Sequence, residues 1–205
     1  MKWIVITSPD FLPGEASAIC FLLQNGVDIV HLRKPYSQLN DYRALLKEIP
    51  SDYHGSIVLH DHFELCGEFG IQGVHINTRN RMVPSDFRGF RSCSCHSLEE
   101  VCERKEIMDY VFLSPIFDSI SKPGYKSAFS EATLREAWQK GIIDKKVMAL
   151  GGITFSVIPW LQSLSFGGAA FLGDVWEKML KEGFVHLKKY VEEGSRMMDK
   201  TRWRN

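Results

Sequence analysis

No apolar run in these 205 residues approaches the length of a bilayer span, and neither sign of charge predominates. The first absence excludes a transmembrane helix, which needs about 20 consecutive apolar residues. As to the second, Lys plus Arg and Asp plus Glu each total 25, so no global field draws the chain to nucleic acid or anionic lipid. Any anion it binds has to be caught locally. A leader is also missing: Met1-Lys2 runs straight into Trp3-Ile4-Val5-Ile6 with no small-residue cleavage site, so the expected location is the cytoplasm. The five cysteines, Cys20, Cys66, Cys93, Cys95 and Cys102, are odd in number and sparse, which argues for reduced thiols rather than a disulfide framework. With no internal repeat, low-complexity linker or shift of composition, residues 1–205 are expected to form one domain. A 44% hydrophobic content suffices for one well-filled core.

What is present is a rhythm of short, nearly continuous apolar runs, the mark of strands buried on both faces, separated by segments of helical period. Strands are expected at Trp3 to Thr7, Ile29 to Arg33, Ile57 to His60, Gly73 to Ile76, Arg91 to Ser94, Tyr110 to Ser114, Val147 to Leu150 and Gly168 to Leu172. Helices are expected at Glu15 to Gln24, Tyr42 to Lys47, Leu98 to Arg104, Glu131 to Gln139 and Ser156 to Leu164. After Ile76 only Pro84 to Phe87 resembles a helical turn, and the tail from Asp174 reads as one closing helix with a basic end. Eight alternating units close as a barrel or lie open as a doubly wound sheet, and periodicity does not choose between them.

Glycine placement favours the barrel. Gly151-Gly152 and Gly173 follow the last two strands, where (β/α)₈ barrels build a phosphate site from backbone N–H groups. The bland alternative is that they turn tight corners. After the sixth strand, Ser119, Ser121 and Lys122 form a loop of hydroxyls and an ammonium, suited to an anion but equally to solvent. Period two puts Ile29, His31 and Arg33 on one strand face and Val30, Leu32 and Lys34 on the other. His60-Asp61-His62 invites a metal, through two imidazoles or through the carboxylate, yet a third zinc ligand of similar support is lacking. In the fifth strand Ser92 and Ser94 alternate with Cys93 and Cys95, whose expected place is the helix layer. His96 then stands at the strand end before Ser97, an N-cap with Glu100 completing a capping box, where an imidazole is placed to exchange a proton near neutral pH.

The ordered set His31-Leu32-Arg33, Leu59-His60-Asp61, Gly73-Val74-His75-Ile76, Ser94-Cys95-His96-Ser97-Leu98-Glu99-Glu100, Asp109-Tyr110-Val111, Ser114-Pro115-Ile116-Phe117, Lys122 and Ala149-Leu150-Gly151-Gly152-Ile153 resembles the thiamine-phosphate synthase and thiazole tautomerase family. The resemblance spans nearly the whole chain and implies an α/β, single-domain (β/α)₈ TIM barrel. It implies a small phosphorylated thiazole as substrate, bound by His31, Arg33, Ser94, Ser119, Ser121, Lys122, Gly152 and Gly173, with His96 catalytic. No nucleic-acid or membrane partner is implied, and a homodimer is left open.

Two branches follow from it. The synthase couples an aminopyrimidine diphosphate to the thiazole phosphate with Mg²⁺, using a Gln-Leu-Arg-x-Lys strand end, an Asn-Asp pair and a second Asp. Here those places hold His31-Leu32-Arg33-Lys34-Pro35, His60-Asp61 and Asn80, so Asp61 is the one carboxylate left for the metal, and the diphosphate pocket lacks its second basic residue unless Lys34 swings round Pro35 to replace it. The tautomerase needs no cofactor; it aromatises a carboxylated thiazole phosphate by moving a proton, and the His96 run suits it. The resemblance is therefore read as a tautomerase first and a divergent synthase second, with a non-catalytic binder of thiamine phosphates as the alternative of another class.

Overall fold

The computed structural model describes residues 1–118 and 129–202. Strands β1 (Lys2–Ile6), β2 (Ile29–Leu32), β3 (Ile57–Leu59), β4 (Gly73–Ile76), β5 (Phe90–Cys95), β6 (Tyr110–Leu113), β7 (Val147–Leu150) and β8 (Gly168–Phe171) form a closed barrel in sequence order. Every neighbouring pair is parallel, and β1 closes on β8 through Lys2↔Gly168 to Val5↔Phe171. All eight expected strands are there, and the barrel is the alternative the chain takes.

Helices α1 (Glu15–Gln24), α2 (Leu39–Glu48), α3 (Leu65–Phe69), α4 (Leu98–Arg104), α5 (Glu131–Gln139), α6 (Ile158–Ser163), α7 (Gly173–Glu182) and α8 (Phe184–Arg202) are the helices of the described residues. Three have the expected bounds. Helix α2 starts three residues earlier than its apolar period suggested, at Leu39, and the expected Ser156 to Leu164 helix opens as a 3-10 turn, Phe155–Val157. The single closing helix is in fact two, broken at Gly183, whose φ of 64° a helix does not accept. Between β4 and β5 there is no helix among the described residues, as the weak period after Ile76 implied. No described helix is long and apolar enough to cross a membrane.

Two cores result. The outer one, between strands and helices, takes Val5, Val30, Leu32, Val74, Cys93, Cys95, Val111, Val147 and Phe171 from the strands and Ile19, Leu22, Leu46, Leu134 and Leu187 from the helices. Both β5 thiols therefore face the helix layer, and all five cysteines are free. The inner core contains Ile4, Ile6, Ile29, Val58, Tyr110, Phe112, Met148 and Ala170. Each fully buried apolar side chain of this kind contributes about 1.5–3 kcal/mol. The interior is not uniformly apolar, however: His31, His60, His75 and Ser92, from β2 to β5, are buried beside it.

Candidate active site

A cavity of about 1220 Å³ opens at the C-terminal ends of the strands. Arg33, His60, His75, Ser94, His96, Ser114, Gly151, Gly152 and Gly173 are among the residues that line it, so each strand end from β2 to β8 contributes. Arg33, Ser94, His96, Gly152 and Gly173, all expected at the site, meet here. Ser119, Ser121 and Lys122 lie outside the described residues.

His96 is fixed from both sides. Its backbone N–H donates to Glu100 Oε2 at 2.7 Å, while Ser97 Oγ accepts from Glu100 N at 3.2 Å. The capping carboxylate thus reaches one residue further back than in the usual capping box, from the N-cap to His96. The ring Nδ1 is 2.9 Å from the Ser114 carbonyl. A carbonyl only accepts, so Nδ1 carries the proton and Nε2 keeps its lone pair. The result is an exposed imidazole at the cavity wall with its basic nitrogen unused by that anchor.

After β7, two strands along the rim from His96, Gly151 and Gly152 adopt φ of 96° and 64°. A Cβ on Gly151 would lie 2.8 Å from Pro115 Cα, and one on Gly152 would run into Asp118 O and, at 2.7 Å, Phe117 Cβ. Both glycines are therefore required by backbone and space whatever else they do. Gly173 begins α7, so backbone N–H groups of a helix N-terminus border the same rim.

Lys34 does not swing round into the cavity. Its ammonium is fully buried on the far face of β2 and donates to Glu15 Oε1 (2.5 Å) and Oε2 (2.7 Å), Ser8 O (2.8 Å) and Asp10 O (2.7 Å). Burial lowers the Lys34 pKa and raises that of Glu15, with their mutual attraction opposing both shifts. Arg33 alone brings positive charge from this strand to the cavity; burial, and then the neighbouring Arg79, lower its pKa.

Asp61 does not fit a resident divalent ion. Its Oδ1 accepts from Asn80 Nδ2 at 2.8 Å and from Arg79 Nε at 3.3 Å, so a guanidinium already stands against the single carboxylate, and the residue does not line the cavity. A hard cation wants six or more oxygens, and with Oδ1 engaged by Arg79 and Asn80 this carboxylate has only its buried, unpartnered Oδ2 to offer toward that number. His62, the other half of the His-x-His pair, turns away and meets Ser37 O through Nε2 at 2.9 Å.

The sequence did not bring together the histidines that actually cluster. His31, His60 and His75 come from three adjacent strands, and their nitrogens lie within 4.8 Å of one another. The His60 and His75 rings stack at 4.2 Å and 17°, so their in-plane lone pairs run side by side instead of converging on one ion. His31 does not reach the cavity. It is fully buried, with Nδ1 2.9 Å from His60 Nε2 and Nε2 2.6 Å from Tyr110 Oη. The sequence signal for His75 is a histidine in an otherwise apolar buried strand.

Barrel and mouth together define the class: a (β/α)₈ enzyme fold with a cavity where the strands end, the place such barrels put their active sites. The family model TMP-TENI, described as Thiamine monophosphate synthase, matches residues 5–173. The chain belongs to this family of thiamine-biosynthesis enzymes. A thiamine-phosphate synthase of Shouchella clausii is 29% identical over 162 residues, 72% of this chain and 75% of that protein. A putative thiamine-phosphate synthase 2 of Aquifex aeolicus is 31% identical over 67% of this chain and 76% of its own length. A solved thiamine phosphate pyrophosphorylase of Bacteroides thetaiotaomicron superposes with a TM-score of 0.88 at 42% identity, covering 97% of this chain and 98% of that one.

Proposed function

We propose that the chain acts on a phosphorylated thiazole and moves a proton on it, as a thiazole tautomerase. The observation that carries this reading is His96 at the cavity wall, with its ring Nδ1 held by Ser114 O, its backbone N–H held by Glu100, and Nε2 unused by either anchor. Aromatisation needs one group that takes a proton from a ring carbon and returns it elsewhere on the same conjugated system, and a neutral imidazole does both. In this reading the phosphate rests on backbone N–H groups at Gly152 and Gly173, Arg33 takes the substrate carboxylate, and Ser94 lines the pocket beside His96. The family resemblance adds Ser119, Ser121 and Lys122, which lie outside the described residues, as further ligands of the phosphate. The Arg79 and Asn80 contacts on Asp61 Oδ1, and the pairing of Lys34 with Glu15 away from the cavity, support a reaction without diphosphate.

The second reading is a synthase that joins the thiazole phosphate to an aminopyrimidine diphosphate, and the names of the relatives favour it. One experiment separates the two. The purified chain and its His96→Ala variant are each given the non-aromatic thiazole carboxylate phosphate, and separately aminopyrimidine diphosphate, thiazole phosphate and Mg²⁺. The tautomerase reading expects aromatisation that drops about 100-fold or more in the variant. Thiamine phosphate formation without aromatisation overturns it in favour of the synthase, and phosphate binding with neither product leaves a binder.

A further inference from the structure

The cavity wall built by the ends of β2, β3 and β4 carries a cation that the reaction above does not use. Arg33 follows β2 and Arg79 follows β4, and both line the cavity, whereas Asp61, at the end of β3 between them, does not. Among the described residues the one ion pair either guanidinium makes is Arg79 Nε with Asp61 Oδ1, at 3.3 Å. The Nη groups of Arg79 and the whole Arg33 guanidinium donate to no described residue, so two forks of N–H donors stand at this wall against a single carboxylate.

Arg79 is placed there by a pinned loop. Asn77 Oδ1 accepts from the backbone N–H of Arg79 at 2.9 Å and from that of Asn80 at 3.2 Å, while Asn77 Nδ2 donates to the His60 carbonyl at 2.6 Å and the His75 carbonyl at 3.2 Å. This is an Asx turn whose own side chain is bolted to the ends of β3 and β4. Asn80 Nδ2 continues the attachment, donating to Asp61 Oδ1 at 2.8 Å and to His60 O at 3.3 Å. The Arg79 side chain is 31% exposed and that of Asp61 8%, so the guanidinium reaches the cavity and the carboxylate stays behind it.

We propose that Arg79 stands where a metal ion would stand beside Asp61, and that Arg79 and Arg33 together clamp the carboxylate of the substrate without any cation. Asp61 is then a positioning residue for Arg79. The proposal rests on the reading of the substrate as a carboxylated thiazole phosphate. A guanidinium and a hard divalent ion compete for the same Oδ1, and the hydrogen bonds of Arg79 and Asn80 already take it. A carboxylate is flat, singly charged and two-oxygened, which is the shape a planar guanidinium fork matches best. Holding two like charges at one wall costs energy that an entering anion returns; the repulsion is felt at Arg33, whose pKa is lowered by burial and then by Arg79, with Asp61 opposing. The layout fits a ligand with two anionic ends. In the closed barrel β1 on one side, and β5 and β6 on the other, separate this wall from Gly152 and Gly173 after β7 and β8, and His96, after β5, stands between the two.

The test is calorimetry in EDTA with two ligands that the chain does not turn over: the aromatic thiazole carboxylate phosphate and the same thiazole phosphate without the carboxylate. The wild-type chain is expected to bind the carboxylated ligand about 10–100-fold more tightly, from charge-assisted hydrogen bonds to one carboxylate. Arg79→Gln is expected to remove at least about 10-fold of that preference while leaving affinity for the uncarboxylated phosphate within about two-fold, and Arg79→Lys, which restores charge but not the fork, to fall between. Asp61→Asn is expected to reduce the same ratio, a quantity that general loosening of the barrel does not move because both ligands share it. No preference in the wild-type chain, or a preference unchanged in Arg79→Gln, overturns the clamp. So does a wild-type preference that appears only when Mg²⁺ replaces EDTA. A chain that shows the preference yet aromatises nothing defeats the tautomerase reading instead and leaves the clamp standing.

Discussion

Removing the carboxylate of Glu15 is expected to strand a charge in the barrel wall. The Lys34 ammonium is fully buried and has four acceptor atoms, two of them on Glu15 and the others the carbonyls of Ser8 and Asp10. In Glu15→Ala the two carbonyls remain, but the countercharge is gone. Breaking a buried pair in this way costs about 3–5 kcal/mol. For a chain of this size each kcal/mol shifts Tm by about 2–4 °C, so a fall of about 6–20 °C is expected. The double variant Glu15→Leu/Lys34→Met is expected within about 1 kcal/mol of wild type, or above it, because desolvation and not attraction dominates the pKa of both partners. Urea unfolding of wild type, both single variants and the double variant gives the coupling energy directly. If Glu15→Ala stays within 1 kcal/mol of wild type, or the double variant loses as much as the two singles summed, the reasoning fails. The same series checks the assignment of Lys34 to the wall: Lys34→Met, in the stable double background, is expected to leave phosphate affinity unchanged.

Stability should fall in acid because of the interior histidines. His75 has an ordinary value of 6.5 and a folded value of about 3, so its contribution is complete above pH 6.5 and is lost as the pH falls towards 3. The total is on the order of 5 kcal/mol, read as a steeper acid limb in urea midpoints than that of His75→Gln. Gly152→Ala forces a side chain at φ 64° against Asp118 O and Phe117; a loss of about 1–3 kcal/mol and weaker phosphate binding are expected, by thermal melts and calorimetry. Because Arg79 and Asn80 already take Asp61 Oδ1, calorimetric binding of inorganic phosphate is expected to be the same in EDTA and in Mg²⁺, and a clear gain with Mg²⁺ would contradict the fit described here.

Much of this molecule is local, and what is local was legible. Buried parallel strands need unbroken apolar runs, so β1 to β8 stand out by composition, and Ser97 with Glu100 announces the start of α4 in four residues. Alternation assigned His31 and Lys34 to opposite faces of β2 without any knowledge of their neighbours. Where geometry overrode pattern, the cause was again physical. Leu39 extends α2 by packing that a period count over Tyr42 to Lys47 does not see, and Gly183 breaks the final helix through a backbone angle.

The sequence by itself determined the strands, the face each side chain takes and the residue types at the cavity mouth, because these follow from period and chemistry along a short stretch of chain. Tertiary structure alone decided who meets whom. That Lys34 spends its charge on Glu15, that Arg79 covers Asp61, and that His31, His60 and His75 assemble with Ser92 and Tyr110 all depend on the stagger with which the strands close into the barrel. That stagger is set by packing across the whole chain, and no local run of residues contains it.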